Sequence, residues 1–351
     1  MTKTHSVIGW DIGGVHLKAA RAENGRIVDA VQIAAPLRGG LDRLVAAFAE
    51  AKARMQNADR HVVTMTGELA DTFPSRAVGV LCLADIAARE LAGAPVLLYA
   101  GPAGFVVPGD AVGHARAIAS ANWHASAALA AVKCGDGLFA DIGSTTTDLI
   151  PLIDGGIAAV GYTDAERLTA GELVYTGLVR SFVMATAEAA PFRGAWTALV
   201  NENFATMADV HRLLGTLPAE TDQMPTADGR DKTLGASRAR LARMIGYDAT
   251  DAGDADWTAL AQWFAEAQLR RIADAAVLVL SRAPLPPGAP VISAGAGGSI
   301  VAELARRLHR DCVAFDTLLD VDPQVRAAAN HCAPAAALAL LGCEAFGANA
   351  M

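Results

Sequence analysis

The tripeptide Asp-Ile-Gly occurs twice, at residues 11–13 and 141–143, and each copy closes one apolar run and is followed by further strand-like runs. The first copy reads SVIGWDIG, then VHLKAARAE, the turn Asn24-Gly25 and RIVDAVQIA; the second reads LFADIGS, then TTDLIPLIDG and GIAAVGYTD. Asn-Gly between apolar runs is a strong hairpin signal, so the pattern predicts three strands at each copy. A pattern repeated about 130 residues apart predicts a duplicated α/β architecture. A chain of 351 residues is long enough to bury two such cores.

The rest of the chain fits around that repeat. HVVTMTG (61–67) and PVLLYAG (95–101) are short apolar runs ending at glycine, separated by a helix expected over Ala77 to Leu91, and they read as buried parallel strands. Gly109 to Lys133 has no proline and much alanine, which predicts one long helix leading into the second domain. A mostly helical insertion is expected from about 168 to 282, with a capping box at Thr206 and Asp209, a polar loop over Pro218 to Asp231, and a helix over Thr233 to Gly246. Trp257, Leu260, Phe264, Leu269, Ile272, Ala276 and Leu280 then trace an amphipathic helix. PVISAG (290–295), a helix over Ser299 to Leu308, the strand CVAF and a helix over Pro334 to Phe346 complete the chain. The expected domains are 1–130 with 334–351, and 131–333.

Composition removes several function classes. Although 53% of residues are apolar, charges and prolines cut every long apolar stretch below the roughly 18 residues of a spanning helix. The N-terminal MTKTHSVIGWDIGG lacks the order of a signal peptide, so a soluble cytoplasmic chain is expected. A net charge of −8 argues against a nucleic-acid groove, leaving small molecules as partners and self-association open. The five cysteines are scattered and form no CxxC pair, which predicts buried, reduced thiols without a metal.

Three glycine-bearing turns carry the chemistry. At the first, Asp11 precedes Gly13 and Gly14, with His16 and Lys18 following on one strand face. Glycines admit backbone N–H groups to an anion, the carboxylate can hold Mg²⁺, and Lys18 can reach the same phosphate. The second turn has Asp141, Gly143, Ser144, Thr145 and Thr146, adding hydroxyls to the same arrangement. The third, Gly295, Gly297 and Gly298 before a helix, suits an anion at a helix N-terminus. It is not a full GxGxxG, so a dinucleotide site is disfavoured. Each turn alone also fits an ordinary structural role; the three in this order point to phosphate.

That joint pattern resembles the actin, sugar-kinase and heat-shock ATPase superfamily. The resemblance implies an α/β fold of two ribonuclease-H-like domains facing a phosphate-binding cleft, with a helical insertion in the second and a hinge between them. It leaves ATP open as a ligand, but Val15 stands where many superfamily kinases carry a phosphate-binding threonine, against γ-phosphate transfer. The segments TGELADTF (66–73), SANWHASA (120–127), YTDAERLTAGELVYTGLVRS (162–181) and PTADGRDKT (225–233) narrow the match. Together they resemble the hydantoinase/oxoprolinase-related family linked to tetrahydromethanopterin-dependent one-carbon metabolism, of the methanofuran-biosynthesis aryl-ether synthase type. The resemblance implies a Mg²⁺-dependent transferase that condenses an aminomethyl-furan-methyl diphosphate with a tyramine- or tyrosine-type phenol and releases diphosphate.

In that chemistry Asp11 and Asp141 would hold the metal and Lys18 the diphosphate. Glu68 and Glu172 can bind the substrate amine or take the phenol proton, or else serve as surface or helix-cap glutamates. Asn122 and Arg180 are further substrate contacts, while Trp123 reads as a packed core indole ahead of a ring stacked on the furan. Asp228 and Arg230 read as a solvated loop pair ahead of a lid. An ATP-dependent small-molecule kinase or amide-activating enzyme, and a nucleotide-sensing regulator, are the alternatives.

Overall fold

A computed structural model describes residues 5–218 and 220–347. Expectations for residues 1–4, Ala219 and 348–351 lie outside the described residues. The chain divides into two compact units, one containing the chain up to Phe139, Ile150–Glu166 and the chain from Val313, the other Ala140–Leu149 and Arg167–Cys312.

The first sheet contains β1 (Ser6–Ile12), β2 (His16–Glu23), β3 (Arg26–Ala34), β4 (Arg60–Met65), β5 (Val96–Tyr99) and β6 (Phe105–Val106), in the order β3-β2-β1-β4-β5-β6. β1 pairs antiparallel with β2 and parallel with β4, and β4 pairs parallel with β5. An antiparallel meander continued by parallel strands is the ribonuclease-H-like arrangement. One face is covered by α1 (Asp42–Arg54) and α2 (Arg76–Glu90). In α1, Leu44, Ala47, Phe48 and Ala51 form the helical stripe that meets Trp10, whose ring lies 5.1 Å from Phe48.

The long helix expected over 109–133 is two helices, α3 (Ala111–Ile118) and α4 (Asn122–Cys134). Between them Ser120 adopts φ +53°, a left-handed conformation that a continuing helix cannot hold.

The second sheet contains β7 (Gly137–Ile142), β8 (Thr147–Ile153), β9 (Gly156–Ile157), β10 (Leu173–Val174), β13 (Val291–Gly295) and β14 (Cys312–Ala314). Its order is β10-β8-β7-β13-β14, with β9 also on β8, so the 3-2-1-4-5 strand order occurs twice. Asn24-Gly25 and Asp154-Gly155 turn the equivalent hairpins, each with positive φ at both residues. The third run of the second copy, GIAAVGYTD, yields only the two residues of β9 before α5 (Asp164–Ala170).

The insertion is less helical than expected in its first part. After β10 comes a hairpin, β11 (Ala189–Phe192) with β12 (Ala195–Ala198), before α6 (Met207–Leu213), α7 (Leu234–Arg243) and α8 (Asp254–Arg282). The Thr206/Asp209 capping box is present, and Thr233 caps α7. Trp257, Leu260 and Phe264 of α8 build a separate core with Phe192, Met207 and Leu241, the Trp257 and Phe192 rings stacking at 4.9 Å.

After α9 (Gly298–Arg307) and α10 (Arg326–His331), the last described element is α11 (Ala333–Gly347). Ala335, Ala336, Ala337 and Ala339 are wholly buried. A Cβ on Gly9 would lie 2.0 Å from the Ala335 carbonyl, so this alanine-rich helix lies directly on the β1 backbone. Among the cysteines only Cys332 is buried; Cys312 is exposed and the other three are half-buried, which corrects the expectation for the set. No described helix is long and apolar enough to cross a membrane.

Candidate functional site

In the first unit, Asp11, Lys18 and Thr64 form one row. Lys18 stands directly opposite Asp11 in the β1–β2 register and Thr64 opposite it on β4, so all three side chains share the α11 face. His16 is on that face two residues before Lys18. Asp11, His16 and Thr64 are buried, and Lys18 is half-buried. The Gly13 amide donates to the His16 carbonyl at 2.9 Å, closing the turn, while a Cβ on Gly14 would meet open space. Cys332 faces the same groups, and burial pushes its thiol up to about 12.

A second turn abuts the first. A Cβ on Gly67 would lie 3.2 Å from the carbonyls of both Ile12 and Gly13, which places Glu68 beside the Asp11–Gly14 turn. Glu68 is 1% exposed, and its Oε1 accepts from Ser120 Oγ at 2.7 Å, while its Oε2 is buried without a hydrogen-bond partner. Ser120 Oγ lies 3.4 Å from Asp164 Oδ2, and Asp164 pairs with Arg76 at 2.5 Å. Burial pushes the Glu68 carboxyl up to about 7; the Ser120 hydrogen bond opposes this and the Asp164 charge adds to it. A carboxyl balanced near neutrality can both take and give a proton.

Ser120, Asp164 and Arg76 were missed as site residues. Ser120 and Asp164 lie in the quoted SANWHASA and YTDAERL segments, but nothing local says that they share a hydrogen-bond network. Asn122, two residues past Ser120, is half-buried at the start of α4. Trp123 is 2% exposed and packs edge-on to His124 and beside Tyr162, as expected of a core indole.

In the second unit, the turn of Gly143 to Thr146 has the geometry of the first, the Gly143 amide donating to the Thr146 carbonyl at 3.0 Å. Two segments hold it. The amides of Leu178, Val179 and Arg180 donate to the carbonyls of Gly143 and Ser144 at 2.8–3.0 Å, and Arg180 Nη1 donates to Thr145 Oγ1 at 3.3 Å. On the other, a Cβ on Gly295 (φ +77°) would lie 2.3 Å from Asp141 Oδ1, and the Gly297 amide donates to the Ile142 carbonyl at 3.0 Å. The second and third glycine turns of the sequence thus meet around Asp141, with α9 beginning at Gly298. The Ser144 hydroxyl is buried without a hydrogen-bond partner.

Glu172 occupies different surroundings. It is 1% exposed, its carboxylate lies 3.9 Å from Arg282, and its carbonyl accepts from Leu149, three residues past the turn. Nearby Arg167 donates to Asp148 at 2.5 Å and to the Glu172 carbonyl, making a buried ionic brace. Asp228 and Arg230 are both exposed, as expected of a loop pair, and Asp228 in addition accepts from the buried Arg240 at 3.0 Å, which also holds Asp209. Arg230 meets Asp228 only through its backbone amide.

The hydantoinase/oxoprolinase pattern matches residues 59–320, three quarters of the chain. The chain belongs to the hydantoinase/oxoprolinase family. Within that family it is 31% identical over 243 residues to the (4-{4-[2-(gamma-L-glutamylamino)ethyl]phenoxymethyl}furan-2-yl)methanamine synthase of Methanocaldococcus jannaschii, covering 69% of this chain and 72% of that one. The synthase of the same name from Methanococcus vannielii is 32% identical over 111 residues, 32% of this chain and 50% of that one. Among solved structures, nucleotide-free acetone carboxylase superposes with a TM-score of 0.53 at 12% identity, over 96% of this chain and 70% of that one, a likeness of fold.

Among the described residues no group of three or more His, Cys, Asp or Glu is arranged to hold a metal. Mg²⁺ is typically held by one or two carboxylates, with waters and substrate phosphates completing its shell. Asp11 beside the Thr64 hydroxyl, and Asp141 beside the glycine turns, fit that mode.

Proposed function

We propose that this chain is an aryl-ether synthase of methanofuran-type cofactor biosynthesis. It joins the phenol oxygen of a tyramine- or tyrosine-type acceptor to the methyl carbon of an aminomethyl-furan-methyl diphosphate. The observation that carries this reading is the 243-residue similarity to a synthase whose named product contains a phenoxymethyl-furan, the bond in question.

The chemistry suits the groups present. An electron-rich furan helps positive charge develop at its methyl carbon, so the protein must chiefly stabilise departing diphosphate and align the phenol. The phenol oxygen bonds to that carbon as the carbon–oxygen bond to diphosphate breaks. Diphosphate leaves with the bonding electron pair. The phenol proton passes to a carboxylate, and Glu68 is assigned that role because its carboxyl is poised at about 7 beside the first turn. Backbone N–H groups, the hydroxyls of Ser144, Thr145 and Thr146, and Arg180 are assigned the grip on diphosphate, with Lys18 as a further cation. Asp11 and Asp141 are each assigned as a carboxylate ligand for Mg²⁺, which when bound neutralises charge on the leaving group. None of these roles needs a phosphoryl acceptor, consistent with Val15.

The test is to incubate the protein and Mg²⁺ with furan-methyl diphosphate and tyrosine or γ-glutamyl-tyramine. Ether and pyrophosphate in equal amounts are expected. ADP formed from added ATP in step with product, without pyrophosphate, would replace this reading with a kinase. ATP binding with neither product would replace it with a nucleotide sensor.

A further inference from the structure

A buried polar chain runs through the second unit from the helical insertion to the Gly143–Thr146 turn. Gln268, on α8 and 1% exposed, donates through Nε2 to Thr176 Oγ1 at 2.9 Å and to the Gly177 carbonyl at 2.8 Å. Its Oε1 lies 2.8 Å from His211 Nε2 on α6, and His211 Nδ1 lies 2.9 Å from Thr216 Oγ1. Because Gln268 spends its amide N–H groups on Thr176 and Gly177, its Oε1 must accept, which fixes the proton on His211 Nε2 and leaves Nδ1 to accept from Thr216. Burial lowers the His211 pKa, keeping the ring in this neutral form.

The other end of the chain is the template of the turn. Thr147 Oγ1 donates to the Thr176 carbonyl at 2.7 Å. A Cβ on Gly177 would lie 2.6 Å from the Thr145 backbone and 2.7 Å from the Gly143 carbonyl, so segment 176–180 is seated against the turn with no slack. A sideways movement of Thr176 and Gly177 would carry the turn with it. Gln268 is the side chain that fixes both residues from behind.

We infer that Gln268 is a positioning residue, holding segment 176–180 and through it the anion-binding geometry of the Gly143–Thr146 turn. The helical insertion therefore sets the shape of that turn through one amide side chain, without itself touching ligand. The functional half of this inference rests on the reading of the turn as the grip on diphosphate.

Two isosteric variants test it. Gln268→Leu removes both donations and Thr176→Val removes one, and hydrogen exchange then reads the Leu178, Val179 and Arg180 amides, which bond the turn directly. Their protection is expected to fall about tenfold or more in Gln268→Leu and by a smaller factor in Thr176→Val, with the β1–β2 amides unchanged. Inorganic pyrophosphate should bind Gln268→Leu about tenfold more weakly, with KM for the diphosphate substrate rising more than kcat falls. Unchanged exchange at 178–180 in both variants overturns the positioning role. Loosened exchange with unchanged pyrophosphate affinity keeps that role and overturns the assignment of this turn to diphosphate. If Gln268→Leu does not fold, Thr176→Val decides alone.

Discussion

The two Asp-Ile-Gly turns are built alike and surrounded differently. Each is closed by a glycine amide donating to the carbonyl three residues on, Gly13 to His16 and Gly143 to Thr146. Around the first lie an ammonium, Lys18 opposite Asp11, and a carboxyl near neutrality, Glu68 one residue beyond Gly67. Around the second lie neutral donors, hydroxyls and backbone amides, with Arg180 as the cation. The backbone turn is the same in both, and the chemistry differs in what packs against it. A turn lined with amides and hydroxyls suits an anion that is held, and one beside a carboxyl near neutrality suits a proton that moves.

The strongest way to break this comparison is to neutralise one aspartate at a time. Asp141→Asn and Asp11→Asn should each keep the fold and lower kcat by about 100-fold or more, as read by steady-state kinetics beside circular dichroism. Full activity in either variant would withdraw the Mg²⁺ role proposed for that aspartate.

Steric probes act next. Gly177→Ala puts a methyl group 2.6 Å from the Thr145 backbone, and should cost about 1–3 kcal/mol by overpacking and weaken pyrophosphate binding. Gly14→Ala, whose Cβ meets open space, should stay within about 1 kcal/mol of the parent in thermal melts. Equal tolerance at both positions would deny the second turn its closer seating.

Glu68→Gln sharpens the contrast through pH. The Glu68 pKa is raised from 4.5 to about 7 on folding, so the folded state holds the extra proton between those values and stability declines as pH rises through them. At pH 8 the ionised carboxylate costs about 3 kcal/mol at most. Denaturant titrations should therefore show Glu68→Gln more stable than the parent at pH 8 and equal to it at pH 4. The rate profile should lose its limb near neutrality. A variant no more stable at pH 8 would show that the carboxyl is not held near neutrality.

Much of the fold was legible because its signals are local. Asn24-Gly25 and Asp154-Gly155 announce hairpins, and Thr206 and Thr233 announce helix starts. The β11–β12 hairpin escaped because its turn is Arg193-Gly194, and arginine at positive φ is too uncommon to serve as a signal. The break at Ser120 escaped for a related reason: neither glycine nor proline marks it, and its conformation goes with tertiary bonds to Glu68 and Asp164. At the candidate site the turn residues could be named from sequence, but the acidity of Glu68 could not. It comes from burial beneath α2, where a Cβ on Gly79 would lie 2.8 Å from Glu68. Glu172, an identical Gly-Glu-Leu in sequence, ends in an arginine brace instead. Tertiary surroundings separate two glutamates that the sequence presents as equals.

In the proposed reaction the furan-methyl carbon, and not phosphorus, is where bonds change. Furan-methyl diphosphate labelled with oxygen-18 at the bridging oxygen, turned over once with the phenol acceptor and followed by mass spectrometry, tests it most directly. The account predicts that all of the label leaves in pyrophosphate and that the ether carries only the phenol oxygen. Label retained on the furan-methyl carbon, with phosphate appearing on the phenol, would contradict it.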